Sequence, residues 1–469
     1  MEILKTDVTV VGAGLTGLTT AYYLSRSGVS VCLVEQKNET GGVIRTYSEQ
    51  GFVFEAGPNT GVLSSSELVD LFDDLNDTVK IETAGSAAKA RWIWKNKNWN
   101  ALPSGLYSAV TTPLFSFWDK IRILGEPFRK PTDNKNETVS EMVKRRLGKS
   151  FLDYAVDPFI SGVYAGDPSR LSVRFALPKL YRLEQEHGSF IKGSIQKAKE
   201  PKTAFQKRVT KEVFSVEGGL QSLVDALAGK IGRENLHTGC SSVAVEPFAE
   251  GFTTTFVNSS GEQVQVHSGK VVSTIGGTGL DQLLSFLTSG EKNVLSSIHY
   301  AKVVQVVACF RSWQGLPLRA FGGLMPSKEN RNVLGILFPS AIFRNRAPEG
   351  GAVLSVFIGG IKRPELFEKS DEELESAALA EIRETLKCST TPELIRVFRY
   401  AHAIPQYEKD TEVRLQVIED VQNCYPGLFV AGNIRDGIGM SDRVSQGRLL
   451  ADRILEELKM ERSKTAQTV

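Results

Sequence analysis

The sequence predicts an α/β protein that carries an added all-helical part, and three observations lead there. A strand, a glycine-rich turn, a helix and a second strand succeed one another at the N-terminal end, the order of a Rossmann βαβ unit. A second strand, glycine turn and helix stand near the other end, so one nucleotide-binding domain is assembled from distant segments. Between them lies a basic stretch with its own helix-capping signals. At 469 residues the chain is long enough for two or three cores.

The first unit is "DVTVVGAGLTGLTTAYYLSRSGVSVCLVE". Val8, Val10 and Val11 make a short buried strand. Gly12, Gly14 and Gly17 follow in G-x-G-x-x-G spacing, with Leu15 and Thr16 opening the helix beside the expected ligand. Leu18, Ala21, Tyr22 and Leu24 keep helical spacing, and Gly28 ends the helix. Gly12 makes the turn, Gly14 admits a pyrophosphate to the helix N-terminus, and Gly17 allows close helix–strand packing. Glu35 closes the second strand 21 residues after Gly14 and suits a ribose hydroxyl. A carboxylate there repels a 2′-phosphate, which disfavours NADP.

Next comes "TGGVIRT". Gly41, Gly42 and Arg45 resemble the second glycine motif of the glutathione-reductase-like FAD family, which implies FAD as the cofactor. "GLFVAGNIRDGIGMSDRVSQGRLLADRI" resembles that family's C-terminal flavin motif. The resemblance places Gly432, Asn433, Gly439, Met440 and Val444 at the flavin, where a helix N-terminus favours negative charge. A third return, "GGLQSLVDALAGKIGRENLHTGCSSVAVEP", pairs an amphipathic helix with a strand; by the same resemblance Ser242 and Val243 meet adenine through their backbone.

Composition bounds the rest. Apolar residues make up 41% and charged residues 23%, normal for a folded protein. The formal net charge of +2 gives no sign of a nucleic-acid partner. Yet residues 89–211 hold 24 Lys and Arg against 11 Asp and Glu, leaving −11 on the remainder. Such a block suits an anionic surface. Cys32, Cys240, Cys309, Cys388 and Cys424 are scattered and odd in number, which predicts free thiols in a reducing compartment. His187, His237, His267, His299 and His402 show no metal-ligand spacing. The N-terminus does not read as a signal peptide, and no run approaches a spanning helix.

The middle chooses among branches of the amine-oxidase-like FAD superfamily. "SGVYAGDPSRLS" (161–172) reads as an oddly apolar loop, since Gly162, Gly166 and Pro168 argue against a helix. With "FEAGPNT", "KARWIW", "EVFSVEGGLQSL", "GILFPSAIFRNRAPEG" and "AIPQYE" it resembles the HemY-type protoporphyrinogen and coproporphyrinogen oxidases. Arg435-Asp436 departs from the neutral pair common in bacterial members. The resemblance implies oxidation of protoporphyrinogen IX to protoporphyrin IX in haem biosynthesis, in three two-electron steps. Dioxygen is the implied acceptor and hydrogen peroxide the product. Coproporphyrinogen III is the alternative substrate, with Arg344 and Arg346 as possible extra cations. An amine oxidase or desaturase ranks lower, since no cysteine stands in the C-terminal motif to tether FAD. A non-catalytic flavin-fold carrier ranks lower again, because the phosphate glycines and Glu35 are all present.

By resemblance Arg91 clamps a propionate, and Leu324 and Phe343 sandwich the macrocycle. Gly57, Pro58 and Asn59 face the flavin, with Asn59 and Arg91 as the catalytic pair. Ala165 and Gly166 form a flat wall of the substrate pocket. The resemblance divides the chain into an FAD-binding domain (1–62, 212–277 and 425–469), a mixed-sheet substrate domain (63–95 and 278–424) and a basic helical domain (96–211). In the last, "ETVSEMVKRRLG" offers a capping box from Thr138 to Glu141. Trp92, Trp94, Trp99 and Trp118, interleaved with lysines, and the lysine-rich run 191–208 predict contact with an anionic membrane surface. The expected location is cytoplasmic, peripheral on the inner face of the plasma membrane, with handover of product to ferrochelatase.

Overall fold

The computed structural model describes residues 2–201, 208–249 and 251–468; part of the lysine-rich run, 202–207, lies outside them. Two seven-stranded sheets carry the molecule. In the first, Glu2–Val11 runs parallel to Val31–Val34 on one side and to Gln263–Ser273 on the other. Leu236–His237 extends the sheet beyond Val31–Val34, and Leu428–Val430 joins Gln263–Ser273 in parallel. The valine runs explain this: Val8, Val10, Leu33 and Val272 are fully buried, as central parallel strands covered on both faces require. Helices Leu15–Arg26, Gln221–Ile231 and Met440–Thr468 contribute to the core on one side. Leu280–Leu283 and Thr411–Cys424 contribute to another. An antiparallel hairpin, Ser241–Phe248 with Gly251–Val257, continues from Gln263–Ser273.

The second sheet is ordered Leu394–Pro405, Tyr300–Phe310, Ala352–Gly359, Val333–Leu337, Gly322–Leu324, Trp92–Lys95, Asn98–Ala101. It is mixed, because Gly322–Leu324 pairs Trp92–Lys95 in parallel and the other pairs are antiparallel. Its core includes helix Asp371–Leu386 through Leu374, Ala378, Ile382 and Leu386. Segment 63–95 is divided rather than joined wholly to this sheet. Helix Ser66–Asp74 puts Leu68, Leu71 and Phe72 into the first core, and only Trp92–Lys95 reaches the second sheet.

The helical part packs Val139, Met142, Val143, Leu152, Ile160 and Leu171 around its own core. The capping box forms, Thr138 Oγ1 accepting from the Glu141 amide at 3.2 Å and Glu141 Oε2 from the Thr138 amide at 2.8 Å. The expectation of a loop from residue 161 is corrected: helix Asp157–Tyr164 runs through Gly162. Gly162 weakens a helix by about 1 kcal/mol relative to alanine, but a β-carbon there would collide with Leu324. The helix stops at Ala165, which takes a left-handed conformation at φ +47°. Ser172 stands at the next N-cap without a side-chain bond, and the Ser169 hydroxyl turns instead to Asp167.

Candidate functional site

Gly12 takes φ +101°, closed to most side chains, and its amide donates to Val34 O at 2.8 Å. A β-carbon on Gly17 would collide with Gly12 O, whereas one on Gly14 would meet nothing within 4 Å. The turn is therefore tight beneath and open above. Gly14 caps helix Leu15–Arg26 without a side chain, so the first amides of the helix have no intrahelical acceptor. An anion fits there. The Gly41–Gly42 turn closes on the same place, the Gly41 amide donating to Ala13 O at 2.7 Å. Beside it opens a cleft of about 420 Å³ lined in part by Lys37, Gly42, Arg45, Arg399 and Tyr400.

Glu35 is buried at the end of its strand. Its carboxylate accepts from the Ala13 amide at 2.7 Å and the Lys37 amide at 2.9 Å. These bonds fix it beside the glycine turn, and an anionic carboxylate retains lone pairs for a ribose hydroxyl. The Cys240 amide donates to Glu35 O at 3.0 Å, bringing the next strand alongside. Ser242 and Val243 then fall in a bulge between the paired Ser241 and Ala244. Arg45 turns back on its own loop, donating to the carbonyls of Thr40, Ile44 and Glu39 and pairing with Glu39 at 3.0 Å.

The C-terminal segment returns to this point. The Gly432 amide donates to Gln446 Oε1 at 2.9 Å. Thr16 Oγ1 donates to Arg443 O at 3.1 Å and Thr20 Oγ1 to Gly447 O at 3.2 Å. These bonds lay helix Met440–Thr468 against helix Leu15–Arg26 with Gly14 and Met440 at the same end. The Gly439 amide is capped by Asp442 at 3.0 Å, leaving the amides of Met440 and Ser441 without an intrahelical acceptor. Tyr407 OH donates into the same loop, 2.8 Å from Asn433 O and 2.9 Å from Gly437 O.

Asn59 ties the loop that follows strand Phe52–Ala56 to the second sheet. Its amide nitrogen donates to Gly57 O at 3.0 Å, and its Oδ1 accepts from Ser355 Oγ at 2.8 Å. Gln305 accepts from the Gly57 amide at 2.8 Å and donates to Glu55 O at 2.8 Å. Gln305 and Ser355 are wholly buried. Sequence reasoning missed both, although a lone polar residue in "VVQVVAC" was a visible signal. It also missed Arg443, buried near Val444, whose Nε has no hydrogen-bond partner. Burial pushes that guanidinium below its ordinary pKa.

The expected substrate residues divide. Arg91 is exposed, its guanidinium 5.6 Å from the centre of the Phe321 ring, and Phe321 packs against the cluster that holds Phe343. Phe343 itself is buried there, with Arg346 5.5 Å from its ring centre. Leu324 is half-buried near Ile93 and Gly162. Arg346 is not a free cation: it lies buried between Glu55 at 3.7 Å and Glu82 at 3.5 Å and donates to Ser215 at 2.8 Å. Arg344 is exposed. The flat wall expected at Ala165 and Gly166 is a packed junction instead. Ala165 is buried, and a Gly166 β-carbon would sit 2.5 Å from Gln406 Oε1.

Residues 15–455 match a family described as flavin containing amine oxidoreductase. Protoporphyrinogen oxidase 2 of Arabidopsis thaliana is 30% identical, with 96% of this chain and 94% of that protein covered. Coproporphyrinogen III oxidase of Bacillus subtilis is 23% identical over 95% of this chain and 97% of its own. Among solved structures, one from Exiguobacterium sp. 255-15, provisionally assigned as a protoporphyrinogen oxidase, superposes with a TM-score of 0.78. It is 24% identical and covers 96% of this chain and 99% of its own.

Proposed function

The chain belongs to the flavin-containing amine oxidoreductase family, and we propose that within it this protein oxidises protoporphyrinogen IX to protoporphyrin IX. One observation carries the reading. The likeness to a protoporphyrinogen oxidase covers 96% of the chain, so it includes the middle segments that distinguish substrates as well as the flavin-binding ends. FAD fits the residues present: an open turn at Gly14, a fixed carboxylate at Glu35, a strand bulge at Ser242 and Val243, and the helix start at Met440. Bound there, FAD supplies a two-electron acceptor. We assign the first sheet and its helices to FAD and the second sheet to the substrate.

The chain's own contribution is position. The glycine turn and the Met440 helix start stabilise negative charge at their free amides. The network of Asn59, Ser355 and Gln305 fixes the loop of Gly57 and Pro58 against the substrate sheet, and orientation of this kind lowers the barrier to hydride transfer. The exposed guanidinium of Arg91 can pair a propionate bidentately. The proton lost from a pyrrole nitrogen passes to solvent or a backbone carbonyl. Dioxygen is the acceptor we propose, with peroxide as product. Coproporphyrinogen is the second reading, favoured by the exposed Arg344, whose side chain has no partner among the described residues, but weakened by the internal pairing of Arg346.

Anaerobic mixing with each porphyrinogen tests this. Bleaching of the flavin absorbance followed by porphyrin fluorescence is expected with protoporphyrinogen; no bleaching with either substrate refutes the reading.

We also propose that the helical part rests on an anionic membrane surface. Among the described residues no helix is long and apolar enough to cross a membrane. Yet Phe117, Trp118, Leu124 and Phe128 are 69%, 75%, 72% and 88% exposed, a cluster that water disfavours. Lys120, Arg122 and Lys192 accompany it in the same helical part. Co-sedimentation with anionic vesicles at low salt is expected, and its absence refutes contact.

A further inference from the structure

We propose that the helical part holds a binding site for the phosphate of an anionic lipid headgroup, formed by Arg122, Lys144, Lys149 and Lys328. The inference rests on the membrane reading above and names what that surface recognises. These four cations line one cleft of about 600 Å³, with Asp119, Ser150 and Asp153. They come from different segments: helix Phe117–Leu124, helix Val139–Arg146, the turn after Gly148, and Ser327–Glu329 beside the second sheet. Basic residues scattered for solubility do not converge in this way.

The two carboxylates do not neutralise the cleft. Asp153 pairs with Lys149 at 2.7 Å and Lys328 at 3.4 Å. Asp119 is engaged by Ser116, accepting from its amide at 3.0 Å and its hydroxyl at 2.7 Å. Among the described residues no carboxylate lies within ion-pair distance of Arg122 or Lys144, and the formal sum of the lining charges is positive. Arg122 is also held in place. Its Nη2 donates to Lys144 O at 3.1 Å, and Gly148, at φ +96°, leaves the room it occupies, since a β-carbon there would approach Arg122 Nε to 2.5 Å. A fixed guanidinium beside ammonium groups matches a phosphodiester, which offers paired acceptor oxygens and a full negative charge.

Position supplies the lipid. Arg122 lies on the same helix as Phe117, Trp118, Ile121 and Leu124, whose side chains are exposed. With that apolar face at the acyl boundary, a residue on its flank stands at headgroup depth.

The test uses the full-length holoenzyme with vesicles of phosphatidylcholine alone and of phosphatidylcholine mixed with phosphatidylglycerol. Wild type is expected to bind the mixed vesicles more tightly by at least an order of magnitude. Each cation removed weakens that preference about fivefold, while binding to phosphatidylcholine stays as it was. Arg122 braces the Gly148 turn, so K144Q/K149Q accompanies R122Q/K144Q, and K135Q/K179Q removes equal charge elsewhere on the helical part. Equal binding of both vesicle types by wild type overturns the phosphate site while leaving the membrane reading intact. Binding to neither overturns the membrane reading and the site with it. Equal loss in K135Q/K179Q overturns it in favour of diffuse attraction. If inorganic phosphate or glycerol 3-phosphate binds by calorimetry, K144Q/K149Q abolishes that binding, and vesicles show no preference, the site serves a free anion and the lipid proposal falls.

Discussion

Replacing Gln305 by leucine tests the link between the second sheet and the loop of Gly57 to Asn59. The side chain is wholly buried and bonds three groups: the Gly57 amide at 2.8 Å, Glu55 O at 2.8 Å and Ser355 Oγ at 3.3 Å. Leucine has nearly the same volume, so little packing changes and the loss is one of hydrogen bonding. It strands a half-buried N–H and a buried C=O, each worth about 1–3 kcal/mol when left unpaired. The sum is about 2–6 kcal/mol, a large part of the stability of an ordinary domain. S355A, which removes the bond to Asn59 and the longer bond from Gln305 but leaves the Gly57 amide and Glu55 O paired, is the milder comparison at about 1–2 kcal/mol. The assay is heating of the holoenzyme with flavin fluorescence as the readout, alongside the visible flavin spectrum at rest. Q305L is expected to release flavin at a clearly lower temperature than S355A and to shift the spectrum, since the affected loop is the one assigned to the flavin. A release temperature and spectrum equal to wild type in Q305L would refute the argument that this network positions Gly57 to Asn59.

Other predictions follow from separate parts of the molecule. Burial raises the Glu126 carboxyl, but hydrogen bonds from Ser189, Phe190 and Ile191 and the Arg146 guanidinium outweigh it and hold it below its ordinary value. The folded state then binds fewer protons than the unfolded one, so this contribution is present above about pH 4.3 and lost as pH falls through the lower folded value. E126Q is expected to be less stable at neutral pH and to lose part of the acid sensitivity, both read from denaturation midpoints against pH. G166L is expected to destabilise the whole protein rather than raise KM alone, because its β-carbon meets Gln406; normal melting with a raised KM would return this position to the substrate wall. Burial pushes the thiols of Cys32, Cys240 and Cys309 up to about 12, about 11 and about 12, and Cys388 is buried while Cys424 is exposed. A thiol reagent on the native protein is expected to modify Cys424 quickly and the other four only on unfolding, and fast reaction at a second thiol would contradict the packing.

The first sheet was legible because its signals are local. Val8 to Val11, the three glycines and Glu35 each owe their identity to a neighbour a few residues away or to one fixed turn. The C-terminal return was legible for the same reason, since Gly432 and Met440 restate the pattern. What was not legible depends on residues distant in sequence. Ser355 and Asn59 meet only because the second sheet is laid against the loop of Gly57, and no periodicity announces that. Residues 161–164 read as a loop because Gly162 disfavours a helix, yet the helix runs through Gly162, which packs against Leu324, 162 positions away. The resemblance places 63–95 with the substrate domain, whereas helix Ser66–Asp74 packs Leu68, Leu71 and Phe72 into the first core, a contact with residues distant in sequence that no local pattern announces.

The basic stretch shows why a charge count does not locate a surface. Arg145 pairs with Glu137 and Glu184 at 2.7 and 2.8 Å, and the wholly buried Arg146 bonds Glu126. Truncating one partner of such a buried pair leaves a bare charge and costs about 3–5 kcal/mol. These two arginines therefore hold helix Val139–Arg146 to helices Pro178–His187 and Phe190–Lys199, and attract nothing from outside. Lys144, next to them in sequence, is exposed on the same helix, and among the described residues no carboxylate lies at ion-pair distance from it. Three adjacent basic residues thus divide into two that build the helical part and one free to meet an anion. R146M should lower the melting temperature without changing vesicle binding by the protein that remains folded, whereas K144Q should weaken binding to anionic vesicles without changing melting. Equal effects of the two on either measurement would show that the division is wrong.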